Sequence, residues 1–405
     1  MKYVVILGDG MADLPIAELG GMTPLEKADK PTMDMMASNG EMGMVKTVPD
    51  GISPGSDVAN LSVMGYDPKK YYTGRSPLEA ISIGVNLLDN DITYRVNTVT
   101  LSDDEDFEKK VMVDYSADEI SSSEGCELMR AINEHFEDEK YKFYAGTSYR
   151  NLLVVHDGGE DNTLTPPHDI SKRVIGDFLP KGKDGEILLK MMKESYEILK
   201  DHPVNKKRIE KGLNPANCIW FWGRGRRPML DTFYDKYALS GAMISAVDLL
   251  KGIGIAAKMK VIEVDGATGN VHTNFTGKGE AAVRALTEEN CDFVYVHVEA
   301  ADECGHRAEI ENKVISIEKL DKMAKLIIDG LDKAKEDYKI LLMPDHPTPL
   351  STMTHSAEPV PYVIYKKGEN RGKNVRYTEK CAEETGIKRS VGHCLMEHFL
   401  KEKID

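Results

Sequence analysis

Three carboxylates and three histidines in this chain stand where a sheet could gather them, and their types suit one chemistry. Asp302 and His306 are four residues apart. That spacing puts a carboxylate and an imidazole on one helical face or around one turn, where they can share a cation. Asp345 and His346 are adjacent. Within a regular strand they would face opposite sides, but at a strand's end the chain turns and both can point into one crevice. His355 follows in Thr354-His-Ser356, and Asp9 follows the first apolar run. Mixed oxygen and nitrogen donors with no thiolate suit Mn²⁺, Zn²⁺ or Mg²⁺, and six ligands are enough for two ions. Such a pair of ions points to hydrolysis or phosphoryl transfer. Helix capping is the plain alternative for any single acid, but it leaves the recurrence of the pattern unexplained.

The pattern depends on where strands end. Tyr3-Val-Val-Ile-Leu7 is a continuous apolar run of the kind a strand buried on both faces displays, and Gly8-Asp9-Gly10 stops it. Phe293 to Val298 runs into Glu299-Ala-Ala-Asp302, and Lys339 to Met343 runs into Pro344-Asp345-His346. Between these two, Val314, Ile317, Leu320, Ala324, Ile327 and Leu331 recur at three- and four-residue steps, which predicts an amphipathic helix over 311–337. Strand, helix, strand reads as a right-handed crossover in a parallel sheet, with the carboxyl ends of the strands on one edge. Ligands in such sheets bind at that edge. Gly8-x-Gly10 also follows a strand, but Asp13 stands where a dinucleotide fingerprint needs its third glycine.

A nucleophile distinguishes transfer from hydrolysis. In Gly51-Ile-Ser-Pro-Gly-Ser-Asp-Val-Ala-Asn60 the glycines and proline force a loop, and Ser56 falls where helix resumes. A metal-activated hydroxyl there could attack phosphorus. The plain alternative is that Ser56 is an N-cap.

At 405 residues the chain exceeds a comfortable single core, so two domains or one domain with a large insertion is expected. Residues 89–217 carry short strands such as Leu152 to Val155, an acidic loop from Asp103 to Glu108 and a helix around Glu186 to Leu199, but no acid-terminated strand. The expected division is 1–88 with 218–405 as a discontinuous metal-binding domain, and 89–217 as an inserted lid. A net charge of −15 argues against nucleic acid as the partner. Six scattered cysteines without a C-x-x-C pair suggest neither disulfides nor a zinc ribbon, so a reducing cytoplasm is expected. No segment is long enough to span a membrane, and the apolar start is too short for an export signal.

The motifs taken together resemble one family. Gly-Asp-Gly-Met-Ala-Asp13, Gly55-Ser-Asp-Val-Ala-Asn-Leu-Ser-Val-Met-Gly-Tyr-Asp-Pro68, Asp302-Glu-Cys-Gly-His306, Pro344-Asp-His346 and Thr354-His-Ser-Ala-Glu-Pro-Val-Pro361 look like the alkaline phosphatase superfamily. Gly20-Gly-Met-Thr-Pro-Leu-Glu-Lys-Ala-Asp29 and Thr73-Gly-Arg-Ser-Pro-Leu-Glu79 narrow the resemblance to the archaeal-type cofactor-independent phosphoglycerate mutases, over essentially the whole chain. It implies an α/β phosphatase-like fold, with a mostly parallel sheet, helices on both faces and a smaller inserted α+β lid. It also implies that Ser56 carries the phosphoryl group and shares one metal with Asp9, Asp345 and His346, while Asp302, His306 and His355 hold the second. Manganese is the expected ion, with zinc, magnesium or cobalt as alternatives, and no 2,3-bisphosphoglycerate is needed.

Holding a phosphorylated glycerate needs cations. The candidates are Arg224, Arg226 and Arg227 in Trp222-Gly-Arg-Gly-Arg-Arg-Pro228, then Arg150, with His168 and Lys251 behind them. The competing readings keep the same metals but use water or another phosphorylated substrate, as in phosphatases, phosphonoacetate hydrolases, phosphopentomutases and proposed homoserine kinase-like relatives. No Gly-x-x-x-x-Gly-Lys-Ser/Thr loop supports a kinase by that route. A silent metal-binding module would require a lost ligand or nucleophile, and none is lost. Oligomeric state is left open by the sequence.

Overall fold

A computed structural model describes residues 1–401. Its chain divides into two compact units, Met1–Tyr72 with Met229–Asp405, and Thr73–Pro228. The breaks fall at 72/73 and 228/229 rather than at 88/89 and 217/218. Strand Cys218–Arg226 pairs antiparallel with Ile92–Leu101 of the insertion, and helix Ser76–Ser82 buries Ser76 against Thr93 of the same strand. Both therefore belong to the inserted unit, and the missing acid-terminated strands gave no signal for them.

The first unit carries an eight-stranded sheet. Its order is Lys388–Arg389, Glu41–Val45, Val360–Lys366, Tyr338–Met343, Lys2–Gly8, Phe293–Val298, Gly241–Ile244 and Lys260–Val261. The three acid-terminated strands are neighbours at its centre, in parallel register, with Leu7 level with both His297 and Met343. Strand Val360–Lys366 alone in this sheet runs against the others. Its beginning therefore lies at the edge where its antiparallel neighbour Tyr338–Met343 ends, and this brings the preceding His355 to the same edge as Asp9 and Asp345.

Val4 and Ile6 pack in one apolar cluster with Ile317, Leu320, Ala324 and Ile327, while the alternate Val5 and Leu7 are equally buried on the opposite face. Both faces of the central strand are thus covered, as its unbroken apolar run requires. The crossover helix spans Ile310–Lys333. Each of its fully buried aliphatic side chains contributes about 2 kcal/mol, so truncating one, as in Ile327→Ala, would cost about 3 kcal/mol with its cavity. The strands it joins are separated in the sheet by Lys2–Gly8, so the crossover passes over the chain's own first strand.

The inserted unit is an antiparallel five-stranded sheet built around Ile92–Leu101, which pairs with Met112–Asp114, Arg150–Val155 and Cys218–Arg226. Helices Ser122–Phe136 and Lys183–Leu199 bury their apolar faces in a core of their own with Val96, Leu153 and Phe221. Among the described residues, no helix is long and apolar enough to cross a membrane.

Candidate metal and phosphoryl-transfer site

Ser56 is the first residue of helix Ser56–Val63, and the N-cap is Gly55. The serine side chain caps nothing. Its Oγ lies 3.2 Å from His346 Nε2, inside a cluster supplied by three strand ends.

The inner part of that cluster is Asp9, Asp345 and His346, all within 1 % of full burial. His346 Nε2 is 3.4 Å from Asp9 Oδ1 and 3.4 Å from Asp345 Oδ2. The outer part is Asp302, His306 and His355. Asp302 Oδ2 is 3.3 Å from His306 Nε2, Asp302 Oδ1 is 3.5 Å from His355 Nε2, and the two imidazole Nε2 atoms are 2.9 Å apart. The rings of His346 and His355, with centroids 4.3 Å apart, join the two parts. Ligand atoms of Asp302, His346 and His355 also come within range of one shared ion.

Several neighbours that sequence reasoning missed fix these groups. His297 is fully buried, with Nε2 2.8 Å from Asp9 Oδ2 and Nδ1 3.1 Å from Ser245 Oγ. Burial, then the charge of Lys278, pushes its pKa down to about 3. Its ring bridges Asp9 and Ser245. Asn60 donates from Nδ2 to both Asp345 Oδ2 and the Ser56 carbonyl, each at 2.8 Å, and accepts at Oδ1 from the Tyr295 hydroxyl. Thr348 donates to Asp302 Oδ1, and the Thr348 carbonyl accepts from buried Lys313, which also pairs with Asp13. Gly10 has φ +59°, and a Cβ there would lie 2.6 Å from both Asp302 Oδ1 and Thr348 Oγ1, so only glycine allows this approach. A histidine inside an otherwise apolar strand and an asparagine four residues after Ser56 were the available signals.

Charge is unbalanced here. Burial, then the charges of Asp345, Asp302 and Glu299, hold the Asp9 carboxyl well above the ordinary range. Burial also pushes Asp302 upward, but hydrogen bonds from His306 and His355 outweigh it and hold its carboxyl well below that range. The hydrogen bond to Asp302 raises His306 to about 9. Asp9 Oδ1 is a buried oxygen with no hydrogen-bond partner. An orphaned carboxylate oxygen amid carboxylates and imidazoles has the donor chemistry of a divalent-cation site, so these residues fit the expected ions.

The candidate substrate cations have ion-pair or ring partners of their own. Arg224 and Arg226 share Glu160, Arg227 pairs with Asp89 at 3.1 Å, and Lys251 with Glu263 at 2.9 Å. The basic cluster is thus largely matched by acids of its own unit. Arg150 is exposed over the Tyr149 ring, and exposed His168 meets the Trp222 ring edge-on at 5.1 Å. Arg95, missed from sequence, lies over the Trp222 ring at 4.0 Å and pairs with Glu79, which also binds Arg75. Burial lowers Arg95 to about 10. An arginine within the strand run Ile92–Leu101 was the overlooked sign.

Known proteins share this chain's sequence and fold. The family profile described as 2,3-bisphosphoglycerate-independent phosphoglycerate mutase matches residues 37–205. A Geobacter sulfurreducens protein named as a probable enzyme of that kind is 48% identical over 99% of this chain and 100% of its own. One from Methanosarcina acetivorans is 47% identical, covering 95% and 96% respectively. Among solved structures, a Pyrococcus horikoshii protein superposes with a TM-score of 0.82 at 31% identity, covering 100% of this chain and 99% of its own. A cofactor-independent phosphoglycerate mutase from Thermoplasma acidophilum gives 0.66 at 27% identity, with 99% of each chain covered. With near-complete coverage at such identity, the chain belongs to the 2,3-bisphosphoglycerate-independent phosphoglycerate mutase family.

Proposed function

We propose that the protein interconverts 3-phosphoglycerate and 2-phosphoglycerate by passing the phosphoryl group through Ser56. The observation that carries this reading is the Ser56 hydroxyl, 3.2 Å from His346 in a buried carboxylate–histidine cluster at the helix start. Asp9, Ser56, Asp345 and His346 would hold one divalent ion and Asp302, His306 and His355 the other, with manganese the preferred species. Bound there, the ions supply the Lewis acidity that lowers the serine pKa and offsets phosphate charge.

The chain's own residues do the rest. Asn60 fixes the backbone of Ser56 and the rotamer of Asp345 together, so the nucleophile and its neighbour move as one body. The helix N-terminus behind Ser56 favours a phosphate there. Ser56 Oγ gives up its proton as it attacks phosphorus, and the departing glycerate oxygen gains one; the neighbouring glycerate hydroxyl then attacks the phosphoserine and loses its proton as Ser56 Oγ regains one. Glycerate must stay bound between these steps. Arg150 and His168 of the inserted unit, with Arg95 beside them, are the side chains best suited to hold its charges, and that unit would act as the lid. The free thiols fit a cytoplasmic setting.

The test is turnover of 3-phosphoglycerate with Mn²⁺, coupled to enolase. Ser56→Ala should lower kcat at least about 10⁴-fold, as for other nucleophile deletions, with an unchanged melting temperature. Free phosphate in place of 2-phosphoglycerate would make the protein a phosphatase instead.

A further inference from the structure

The chain leaves the catalytic unit after Tyr72 and re-enters it at Met229. Both crossings are tied to the short stretch that follows the serine helix. On the return side, the Tyr66 hydroxyl donates to the Asp231 carbonyl at 2.9 Å and the Tyr71 hydroxyl donates to the Asp231 carboxylate, the two rings meeting edge to face at 5.5 Å. On the outgoing side, the Tyr72 hydroxyl donates to Asp57 Oδ2 at 2.7 Å.

The outgoing tie ends one residue from the nucleophile. Asp57 is 9% exposed, and its other oxygen accepts the Val58 N–H at 2.9 Å. The carboxylate also fits tightly against the N-cap, since a Cβ on Gly55 would lie 2.8 Å from Oδ1. The Tyr72 ring packs with Val48, Ile52, Val58 and Ala59 in a small apolar cluster of its own. Ser56 is therefore bracketed. Asn60 holds its carbonyl from the turn above, and Asp57, gripped by Tyr72, holds the turn's other side.

Phenylalanine would serve the apolar cluster as well as tyrosine does. The hydroxyl adds a charge-assisted bond to a mostly buried carboxylate, and such bonds fix direction as well as energy. We propose that Tyr72 and Asp57 are positioning residues for phosphoryl transfer, setting the pitch of the first helical turn, and with it the aim of Ser56 Oγ, from the point where the chain departs for the inserted unit. This rests on Ser56 being the nucleophile.

The experiment is steady-state turnover of 3-phosphoglycerate by full-length, Mn²⁺-loaded protein carrying Tyr72→Phe. Tyr71→Phe, which removes a hydroxyl of the same kind from the return crossing, is the control. The expected result is a kcat about tenfold lower for Tyr72→Phe, as misaim by a fraction of an ångström would give, with KM, Mn²⁺ affinity and melting temperature unchanged. Tyr71→Phe should keep its kcat. Asp57→Asn should lower kcat as well, and the double variant should be no worse than the poorer single one, the signature of one shared contact. A Tyr72→Phe kcat within twofold of the parent overturns the proposal, as does an equal loss in Tyr71→Phe or a loss that tracks a lowered melting temperature. A parent without mutase turnover would instead sink the functional reading itself.

Discussion

The two halves of the carboxylate–histidine cluster are built differently. Asp9, Asp345 and His346 are sealed at the ends of central strands and braced by His297 and Asn60. Asp302, His306 and His355 lie nearer solvent, with the side chains of His306 and His355 34% and 23% exposed. Their bracing comes from a loop: Thr348 on Asp302, and the Met353 carbonyl 2.9 Å from His306 Nδ1. Met353 itself sits at φ 54°, a left-handed conformation that side chains usually avoid and that persists where the surroundings enforce it. The inner half is fixed by strand ends and their buried partners, and the outer half by the helix Ala300–His306 and one strained loop, so damage to them should have unequal consequences.

The largest difference should appear on deleting a ligand from each half. Asp345→Ala removes a charge and leaves Asn60 without its buried partner. It should lower kcat at least about 10³-fold, the scale of losing a preorganised charge-stabilising group, and excess Mn²⁺ should not restore it. His306→Ala should cost about 10²-fold at limiting metal, as lost support for an ion does, and recover substantially as Mn²⁺ is raised. Equal, unrescued losses would erase the distinction.

Next in size are opposite pH responses in the chelated protein. Asp9, held above the ordinary carboxylate range, contributes stability that is fully present below that range and lost as pH rises through its raised value. Asp302, held below it, contributes stability present at neutral pH and lost as pH falls through its depressed value. At pH 7.5, Asp9→Asn should therefore raise the melting temperature of metal-free protein and Asp302→Asn should lower it. Thermal scans with chelator decide this, and shifts of the same sign would contradict it.

The smallest effect calibrates the others. Glu379 accepts hydrogen bonds from Thr23 Oγ1 and the Asp13 N–H, and burial raises its pKa to about 7. Its contribution is full below the ordinary value of 4.5 and lost as pH rises through 7. Glu379→Gln should raise the melting temperature by about 2 °C at pH 8 and leave it unchanged at pH 4. A flat difference across that window would remove Glu379 as the background titration.

The same contrast explains what was legible in the sequence. Asp9, Asp302 and Asp345 were visible because each ends an apolar run, and parallel neighbours in register bring such ends together. His355 was visible only by its motif, since placing it needs the reversed direction of Val360–Lys366, which no local pattern reveals. His297 was read as part of an apolar strand, and it contacts Asp9 only because the two strands are adjacent. The insertion's limits were misplaced for a related reason. Ser76–Ser82 and Cys218–Arg226 look unremarkable alone and are assigned by their pairing to Ile92–Leu101.

The order in which these pieces leave the ribosome follows from the position of Lys2–Gly8 at the middle of the eight-stranded sheet. That strand is made well before its two neighbours, Phe293–Val298 and Tyr338–Met343. The inserted unit is complete by Pro228 and can mature while that strand still waits. A nascent chain thus carries a sticky, unmated apolar segment for most of its synthesis. Such a segment calls for shielding during translation.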